Sequence, residues 1–326
     1  MKKYCAAVLI SLYALQVAAL VTLKKDPVYR DARRNGAQMK IELHIQDDDG
    51  TPVPDAKIKA YLGMNFRPLG TWIDGTTDTN GVFVLEGKTC GDEIEIFVSK
   101  NGYYKTFQRL CFAAMGHEHD VKDGKWLPYG ETRHLLLRKI HNPSELCKFG
   151  FGNGREIPDT NIWVGVDMQQ GDFVRPYGTG LRKDFELLVD WDGKPPISSG
   201  RCTAVMRFNG QFEGAYLSAR ADESEYPYVY EADKDNSYSV VKAFTDKRQK
   251  TGQFLGGVLF DRDTVLVTRT RAIIDADKRL SSACYGYIHA FDVDASWDGN
   301  PTIRLSGVFN PTPNDTNLEP KIDHAR

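Results

Sequence analysis

Short runs in which apolar and polar residues alternate recur along most of this chain, and they constrain its fold more than any other feature. Successive side chains of a β-strand point to opposite faces, so an alternating run predicts a strand with one buried face. Clusters of Gly, Asn and Asp separate the runs. The first inward-facing set consists of Ile41, Leu43, Ile45, Ile58, Ala60, Leu62, Phe83, Leu85, Ile94, Ile96 and Val98. This spacing predicts an antiparallel β-sandwich.

Three turn motifs punctuate these first strands. They are Asp49-Gly50-Thr51-Pro52-Val53-Pro54-Asp55-Ala56, Thr77-Asp78-Thr79-Asn80-Gly81-Val82-Phe83 and Lys100-Asn101-Gly102-Tyr103. In order and spacing they resemble the carboxypeptidase regulatory-like domain, also called the transthyretin-like or prealbumin-like domain. The resemblance covers residues 39–138 and implies a seven-stranded Ig-like sandwich. Domains of this family are non-catalytic, so the resemblance implies a spacer or binding module and transfers no active site.

Longer alternating runs predict a second β-rich domain over residues 159–320, after a turn-rich linker at 139–158 and before a tail at 321–326. Within it, Val265 and Val267 are predicted to face one side of a strand and Leu266 the other. No amphipathic helix longer than two turns is predicted, so the whole chain is expected to be all-β, with a larger antiparallel sandwich or jelly-roll-like domain at its C-terminal end. Residues 165–178 and 309–319 resemble segments of exported bacterial proteins with an uncharacterised β-domain. This resemblance implies only a β-rich architecture and a location outside the cytoplasm.

Residues 1–23 have the composition of an export signal. Met1-Lys2-Lys3 is basic, residues 4–23 carry no charge, and small residues end the run, which predicts cleavage after Ala19. An uncleaved membrane anchor is the alternative, because the run is long enough to span a bilayer. The positive-inside tendency disfavours an anchor followed by so many cations on the outer side, namely Lys24, Lys25, Arg30, Arg33 and Arg34. Residues 24–38 are predicted to be a linker, and the body is expected outside the cytoplasm, in the periplasm, at the cell surface or secreted.

The charge balance excludes one class of partner. Charged residues make up 26% of the chain and the formal net charge is −2, with both signs interspersed. A nucleic-acid binder would show a basic stripe, so nucleic acid is not an expected partner. The expected partner is an extracellular glycan or an envelope protein, with membrane contact only through an uncleaved N-terminal segment.

The cysteines suggest one disulfide bond. No C-x-x-C pair is present, which excludes a zinc ribbon or a thioredoxin motif. A two-residue hairpin at Asn101-Gly102 would place Asp92 opposite Cys111 and Cys90 on the diagonal, so Cys90 and Cys111 are the predicted pair. Cys202 and Cys284 form a second candidate pair. Buried free thiols are the alternative for Cys147, Cys202 and Cys284.

Two segments carry the side chains of candidate metal sites. His117 and His119, two residues apart with Asp120 beside them, would share a strand face and could chelate Zn²⁺. Asp292, Asp294 and Asp298 place carboxylate oxygens at alternating positions of the chain, as the ligands of a Ca²⁺ site do. An exposed polar loop and an acidic turn are the respective alternatives, and no other cofactor is predicted.

Three tyrosines at period two, Tyr226, Tyr228 and Tyr230, predict an aromatic row that could stack on sugar rings. The alternative is that their rings cover the core of the sheet.

No catalytic motif is present: the chain has no nucleophile elbow, no phosphate-binding loop and no complete EF-hand. The predicted function is therefore that of an exported, non-catalytic cell-envelope or secreted protein with a binding or structural role, directed at carbohydrate or protein. The alternative is a carbohydrate-active or other hydrolase, with paired carboxylates in the second domain.

Overall fold

The computed structural model describes residues 27–63, 70–91, 93–111, 121–151, 154–191, 200–221, 223–248, 257–258, 263–295 and 301–322. This part of the chain forms one α-helix and 21 β-strands, and the prediction of an all-β fold is confirmed. It contains no helix long and apolar enough to cross a membrane. The chain divides into two compact units, the first reaching Ile140 and including Glu223–Tyr226, and the second formed by 141–222 and the residues from Pro227 onwards.

The first unit contains the helix and nine strands. They are α1 (Pro27–Asn35), β1 (Ala37–Gln46), β2 (Lys57–Leu62), β3 (Thr71–Thr76), β4 (Val82–Thr89), β5 (Glu93–Ser99), β6 (Thr106–Cys111), β7 (Val121–Lys122), β8 (Lys125–Trp126) and β9 (Glu131–Leu136). The helix lies in the segment predicted to be a linker. It buries Ala32. Gly36, directly after the helix, closes its last turn with a left-handed φ of 83° and an N–H bond to the Ala32 carbonyl (2.8 Å).

Two sheets of this unit pack face to face. One has the order β4-β1-β8-β7, with β9 also paired to β1, and the other has the order β3-β2-β5-β6. The alternating apolar residues of β1 and β2 face the shared core, as the sequence predicts, so the polar and aromatic residues between them face outwards.

The hairpin between β5 and β6 differs from its prediction by one residue. Its ladder runs from Glu93↔Cys111 to Val98↔Thr106. The predicted turn forms, since the N–H of Tyr103 bonds to the Lys100 carbonyl at 3.2 Å, but it lies beyond the end of the ladder. Tyr104 leaves the ladder because it is buried and bonds to the Arg138 carbonyl through its own N–H (2.8 Å). A two-residue loop was therefore the wrong prediction.

This shift removes the geometric argument for a Cys90–Cys111 disulfide. Glu93, not Asp92, faces Cys111, so Cys90 is not on the diagonal of Cys111. The buried thiol of Cys90 donates to the Arg34 carbonyl at 3.7 Å. Cys147 and Cys284 have free thiols. The side chains of Cys111 and Cys202 lie outside the described residues.

The second unit contains twelve strands. They are β10 (Cys147–Gly150), β11 (Arg155–Glu156), β12 (Trp163–Asp167), β13 (Asp172–Phe173), β14 (Phe185–Trp191), β15 (Gly200–Arg207), β16 (Gly214–Ala219), β17 (Val241–Arg248), β18 (Gly257–Val258), β19 (Thr264–Ile274), β20 (Leu280–Ala295) and β21 (Pro301–Asn310). One sheet has the order β10-β21-β20-β19-β16, with β11 paired to β21 and β18 to β20; the other has the order β13-β12-β14-β15-β17. Part of the predicted linker at 139–158 thus forms edge strands of this unit.

The larger sheet of the second unit is buried on both faces. Leu266 of β19 packs into the core between the two sheets, whereas Val265 and Val267 pack into a second cluster on the opposite face. Because both faces are covered, β19 is almost continuously buried instead of alternating. The predicted split of these three residues between two faces is confirmed.

Candidate functional site

The outer face of the sheet β3-β2-β5-β6 carries a row of aromatic side chains. Tyr61, Trp72, Phe97 and Phe107, called here the aromatic row, take one residue from each strand. Trp72, Phe97 and Phe107 are 46%, 38% and 40% exposed, although side chains of this size are usually covered. An exposed aromatic strip with polar residues around it marks an interaction site more often than a plain surface.

Strand register brings these rings together. Tyr61 is paired with Trp72 across β2 and β3, and Phe97 with Phe107 across β5 and β6. The ring centroids are 5.0 Å apart in the first pair, 4.9 Å in the second and 6.0 Å between Trp72 and Phe97. All three separations fall in the range of favourable aromatic contacts, so the row is one continuous surface.

A lysine crosses the centre of the row. Lys59 lies opposite Asp74 on β3 and Phe97 on β5, and its Nζ lies 4.7 Å from the centre of the Trp72 ring. This distance is that of a cation–π contact, which fixes the ammonium group against the indole.

A groove of about 950 Å³ extends from the row along the same face. Its floor includes Phe97 and Phe107, and its polar lining includes Lys57, Ser99 and Lys105. This volume is within the range of small-molecule sites, which are mostly apolar with a few polar groups.

One wall of the groove is a short segment from a distant part of the sequence. Residues 223–225 run along the edge of β6, where the N–H of Phe107 bonds to the Glu223 carbonyl (3.0 Å) and the N–H of Glu225 bonds to the Lys105 carbonyl (2.7 Å). These bonds satisfy backbone groups that an open sheet edge would expose. The Glu225 carboxylate also accepts the N–H of Lys105 at 3.3 Å.

The groove is lined by charges of both signs: Lys57, Lys59, Lys105, Asp74, Glu223 and Glu225. Within the described part of the chain, neither Lys57 nor Lys105 forms an ion pair, and both side chains are exposed. The ammonium of Lys59 is already in contact with Trp72. The groove therefore presents two available ammonium groups beside an apolar floor.

The predicted tyrosine row does not form as an exposed surface. Tyr226 is 1% exposed in the first unit, with its ring 5.2 Å from that of Tyr104. In the second unit, Tyr228 stacks on Tyr287 (4.7 Å between centroids) and Tyr230 on His141 (4.2 Å). Residues 226–230 are not a strand, so the period-two argument does not apply to them.

Tyr228 also stacks on His289, at 4.9 Å between ring centroids. Burial, together with the neighbouring Arg220, lowers the pKa of His289 to about 4, and burial raises the pKa of Tyr228. Both rings are therefore neutral over the ordinary pH range.

The predicted metal ligands are not brought together in the part of the chain that is described. His117, His119 and Asp298 lie outside it, as does the side chain of Asp294, while Asp292 lies on β20 opposite Arg304. Among the described side chains, no group of three or more His, Cys, Asp or Glu residues is arranged to hold a metal ion.

Sequence alone contains a signal for the aromatic row. If Ile96 and Val98 face the core, Phe97 between them faces outwards, and the same alternation exposes Lys57 and Lys59 around Ile58. The contribution of residues 223–225 has no such signal, because it depends on a pairing between distant segments.

No family model and no curated protein matches the chain. Among solved structures, it is similar to 3-chlorocatechol 1,2-dioxygenase from Rhodococcus opacus 1CP, at 16% identity and a TM-score of 0.26, over 32% of this chain and 61% of that one. Catechol 1,2-dioxygenase from Acinetobacter sp. ADP1 is 16% identical with a TM-score of 0.25, over 33% of this chain and 54% of that one. Hydroxyquinol 1,2-dioxygenase from Pseudomonas putida DLL-E4 is 12% identical with a TM-score of 0.24, over 32% of this chain and 57% of that one. The chain thus spans a little over half the length of these proteins.

These similar structures are enzymes by name, which contradicts the prediction of a non-catalytic exported protein with a binding or structural role. That prediction is withdrawn. At this identity and these TM-scores the likeness transfers no dioxygenase chemistry to the chain, and no reaction is assigned from it.

Proposed function

We propose that the groove and the aromatic row bind a small organic anion that carries a flat apolar ring. The observation that carries this proposal is the exposed, continuous row of Trp72, Phe97 and Phe107 beside a groove of about 950 Å³. The ring of the ligand would lie on Phe97 and Phe107, and its acidic group would face Lys57 and Lys105.

Stacking supplies the affinity for the ring. Each favourable aromatic pair contributes about 0.5–1.5 kcal/mol beyond the burial of area. Phe97 and Phe107 are held at 4.9 Å by direct strand pairing, so little side-chain freedom is lost when a ligand covers them.

Lys57 and Lys105 favour a negative charge on the ligand. Lys57 and Lys105 line the groove without an ion pair among the described residues. Ser99, at the end of β5, offers a hydroxyl donor to the same groove. Among the carboxylates of the groove, that of Glu225 already accepts a backbone N–H, and Asp74 lies directly opposite Lys59 in the strand register, so both offer less to a cation. A carboxylate or sulfonate on the ligand would therefore find donors that the protein leaves unpaired.

The test is a calorimetric titration of the full-length chain with 2-naphthoate, compared with the neutral 2-naphthylmethanol. We expect naphthoate to bind more tightly and its affinity to fall as salt rises, because exposed charges are screened. Phe97→Ala should weaken naphthoate binding by on the order of tenfold, and Lys57→Gln by about threefold to tenfold, since about 1.4 kcal/mol corresponds to tenfold.

Matched controls are available elsewhere on the surface. Tyr177→Ala removes an exposed aromatic ring of the second unit, and Lys122→Gln removes an exposed lysine outside the groove. Both should bind naphthoate like the wild type. Equal affinity for the acid and the alcohol would contradict the role of the lysines, and unchanged binding by Phe97→Ala would contradict the site itself.

A further inference from the structure

Two histidines lie side by side on the outer face of the other sheet of the first unit. Strands β1 and β9 run parallel, and His44 is in direct register with His134. The residues on either side of His44, Leu43 and Ile45, are buried in the core, so His44 and His134 point away from it. The ring of His134 is exposed and that of His44 is partly exposed.

The separation of the two rings matches that of imidazoles sharing one metal ion. Their centroids are 5.2 Å apart, with an angle of 59° between the ring planes. A zinc ion lies about 2.0–2.1 Å from each ligating nitrogen and therefore about 3 Å from each ring centroid, which puts the centroids about 5 Å apart at a tetrahedral angle. The observed pair needs no backbone movement to reach this spacing.

Glu42 prepares His44 for this role. Its Oε1 lies 2.6 Å from Nε2 of His44. A carboxylate only accepts hydrogen bonds, so in the neutral imidazole the contact places the proton on Nε2 and leaves the lone pair on Nδ1. A carboxylate bonded to the distal ring nitrogen is the usual outer partner of a metal-bound histidine, and it raises the basicity of the ligating nitrogen.

The surroundings of the pair are partly apolar. Val82 on β4 is in register with His44, and the exposed Val84 is in register with Glu42. An apolar border limits competing hydrogen bonds at the rings, while the open side leaves room for water to complete the coordination shell.

We propose that His44 and His134 form a two-histidine chelate for a divalent transition-metal ion such as Zn²⁺, oriented by Glu42. Imidazole pairs suit Zn²⁺, Ni²⁺ and Cu²⁺ and not Ca²⁺ or Mg²⁺, which prefer oxygen. This site uses none of the residues that line the groove, and its ligands differ from the His117 and His119 pair predicted from the sequence.

The test is a calorimetric titration of the full-length chain with Zn²⁺. We expect one site in the wild type that is at least tenfold weaker in His44→Ala and in His134→Ala. Glu42→Ala should weaken it by about tenfold, as removal of outer-shell partners does in other proteins. His141→Ala, which removes a histidine of the second unit, should leave it unchanged.

A double variant, His117→Ala with His119→Ala, separates the two histidine pairs. Retained Zn²⁺ binding in this variant, with loss in the His44 and His134 variants, supports the proposal. No Zn²⁺ binding by the wild type, unchanged binding in His44→Ala and His134→Ala, or loss of the site in the double variant would overturn it. If His44→Ala does not fold, His134→Gln serves as the second variant, because His134 is exposed. Cu²⁺ EPR should show two ligating nitrogens in the wild type and one in His134→Gln.

Discussion

At the scale of single residues, Glu186 shows how the second unit holds a charge in a nearly closed position. Its carboxylate accepts hydrogen bonds from Lys183 (2.8 Å), Arg207 (2.7 Å) and Asn209 (2.9 Å). Burial acts to raise the pKa of Glu186, but these donors lower it from 4.5 to about 2. The ionised form is therefore favoured in the folded state.

The pKa of Glu186 predicts a pH dependence of stability. Because its folded pKa is below its unfolded value of 4.5, the carboxylate stabilises the fold above about pH 4.5, and this contribution is lost as the pH falls towards 2. Glu186→Gln should lower the free energy of unfolding at pH 7 by about 1–3 kcal/mol and flatten its decline between pH 4.5 and 2. Urea denaturation at several pH values measures both effects.

Glu145 is the control for this prediction. It is 82% exposed and paired with Lys321 at 2.8 Å, and exposed ion pairs contribute little. Glu145→Gln should leave the unfolding free energy nearly unchanged. A Glu186→Gln protein with wild-type stability at pH 7 would show that the three donors do not stabilise the fold.

Individual side chains differ in how far the sequence predicts them. The outward position of Phe97 follows from the alternation of its strand. The position of Tyr226 does not, because residues 223–226 belong to the first unit despite their distance from it in the sequence, and Arg138 donates to the Tyr226 carbonyl at 3.0 Å. A period-two pattern is informative only where a strand forms.

At the scale of elements, one glycine allows β3 to pack against β4. A Cβ on Gly75 would overlap the ring of Phe83, which lies against the inner side of the strand that carries Trp72 and Asp74. Gly75→Ala should therefore destabilise the protein by about 1–3 kcal/mol, as overpacking does elsewhere. Chemical denaturation measures the loss.

Gly63, just after β2, is the matched control, since a Cβ there meets no atom of the described residues within 4 Å and its φ is not left-handed. Gly63→Ala should leave the stability within about 0.5 kcal/mol of the wild type. Phe83→Leu should recover part of the loss in Gly75→Ala; equal stability of the Gly75 and Gly63 variants would show that β3 can move away from Phe83.

Elements were predicted better than their pairing. The alternation located β1, β2, β5 and β19, because side-chain periodicity is a local property. The ladder of the β5–β6 hairpin shifted by one residue because the burial of Tyr104, a tertiary effect, ended it early. The helix Pro27–Asn35 was missed since its packed surface is small, with Ala32 buried and Tyr29 in contact with Trp126.

At the scale of the whole molecule, composition and spacing were sufficient for the all-β class but not for the site. The groove is lined by residues of β2, β3, β5, the start of β6 and residues 223–225, which are far apart in the sequence. The likeness of residues 39–138 to carboxypeptidase regulatory-like domains stays a proposal based on the three turn motifs, as no family model matches the chain.

Amide chemical-shift mapping of the ¹⁵N-labelled full-length chain with 2-naphthoate tests the central claim most directly. Stacking on the aromatic row predicts saturable shifts concentrated in β2, β3, β5 and β6 and in residues 223–225, with β1 and β9 unaffected. In Phe97→Ala the same shifts should need about tenfold more naphthoate to reach saturation. Shifts confined to the second unit, or no saturable shifts at all, would contradict the assignment of this face as a binding site.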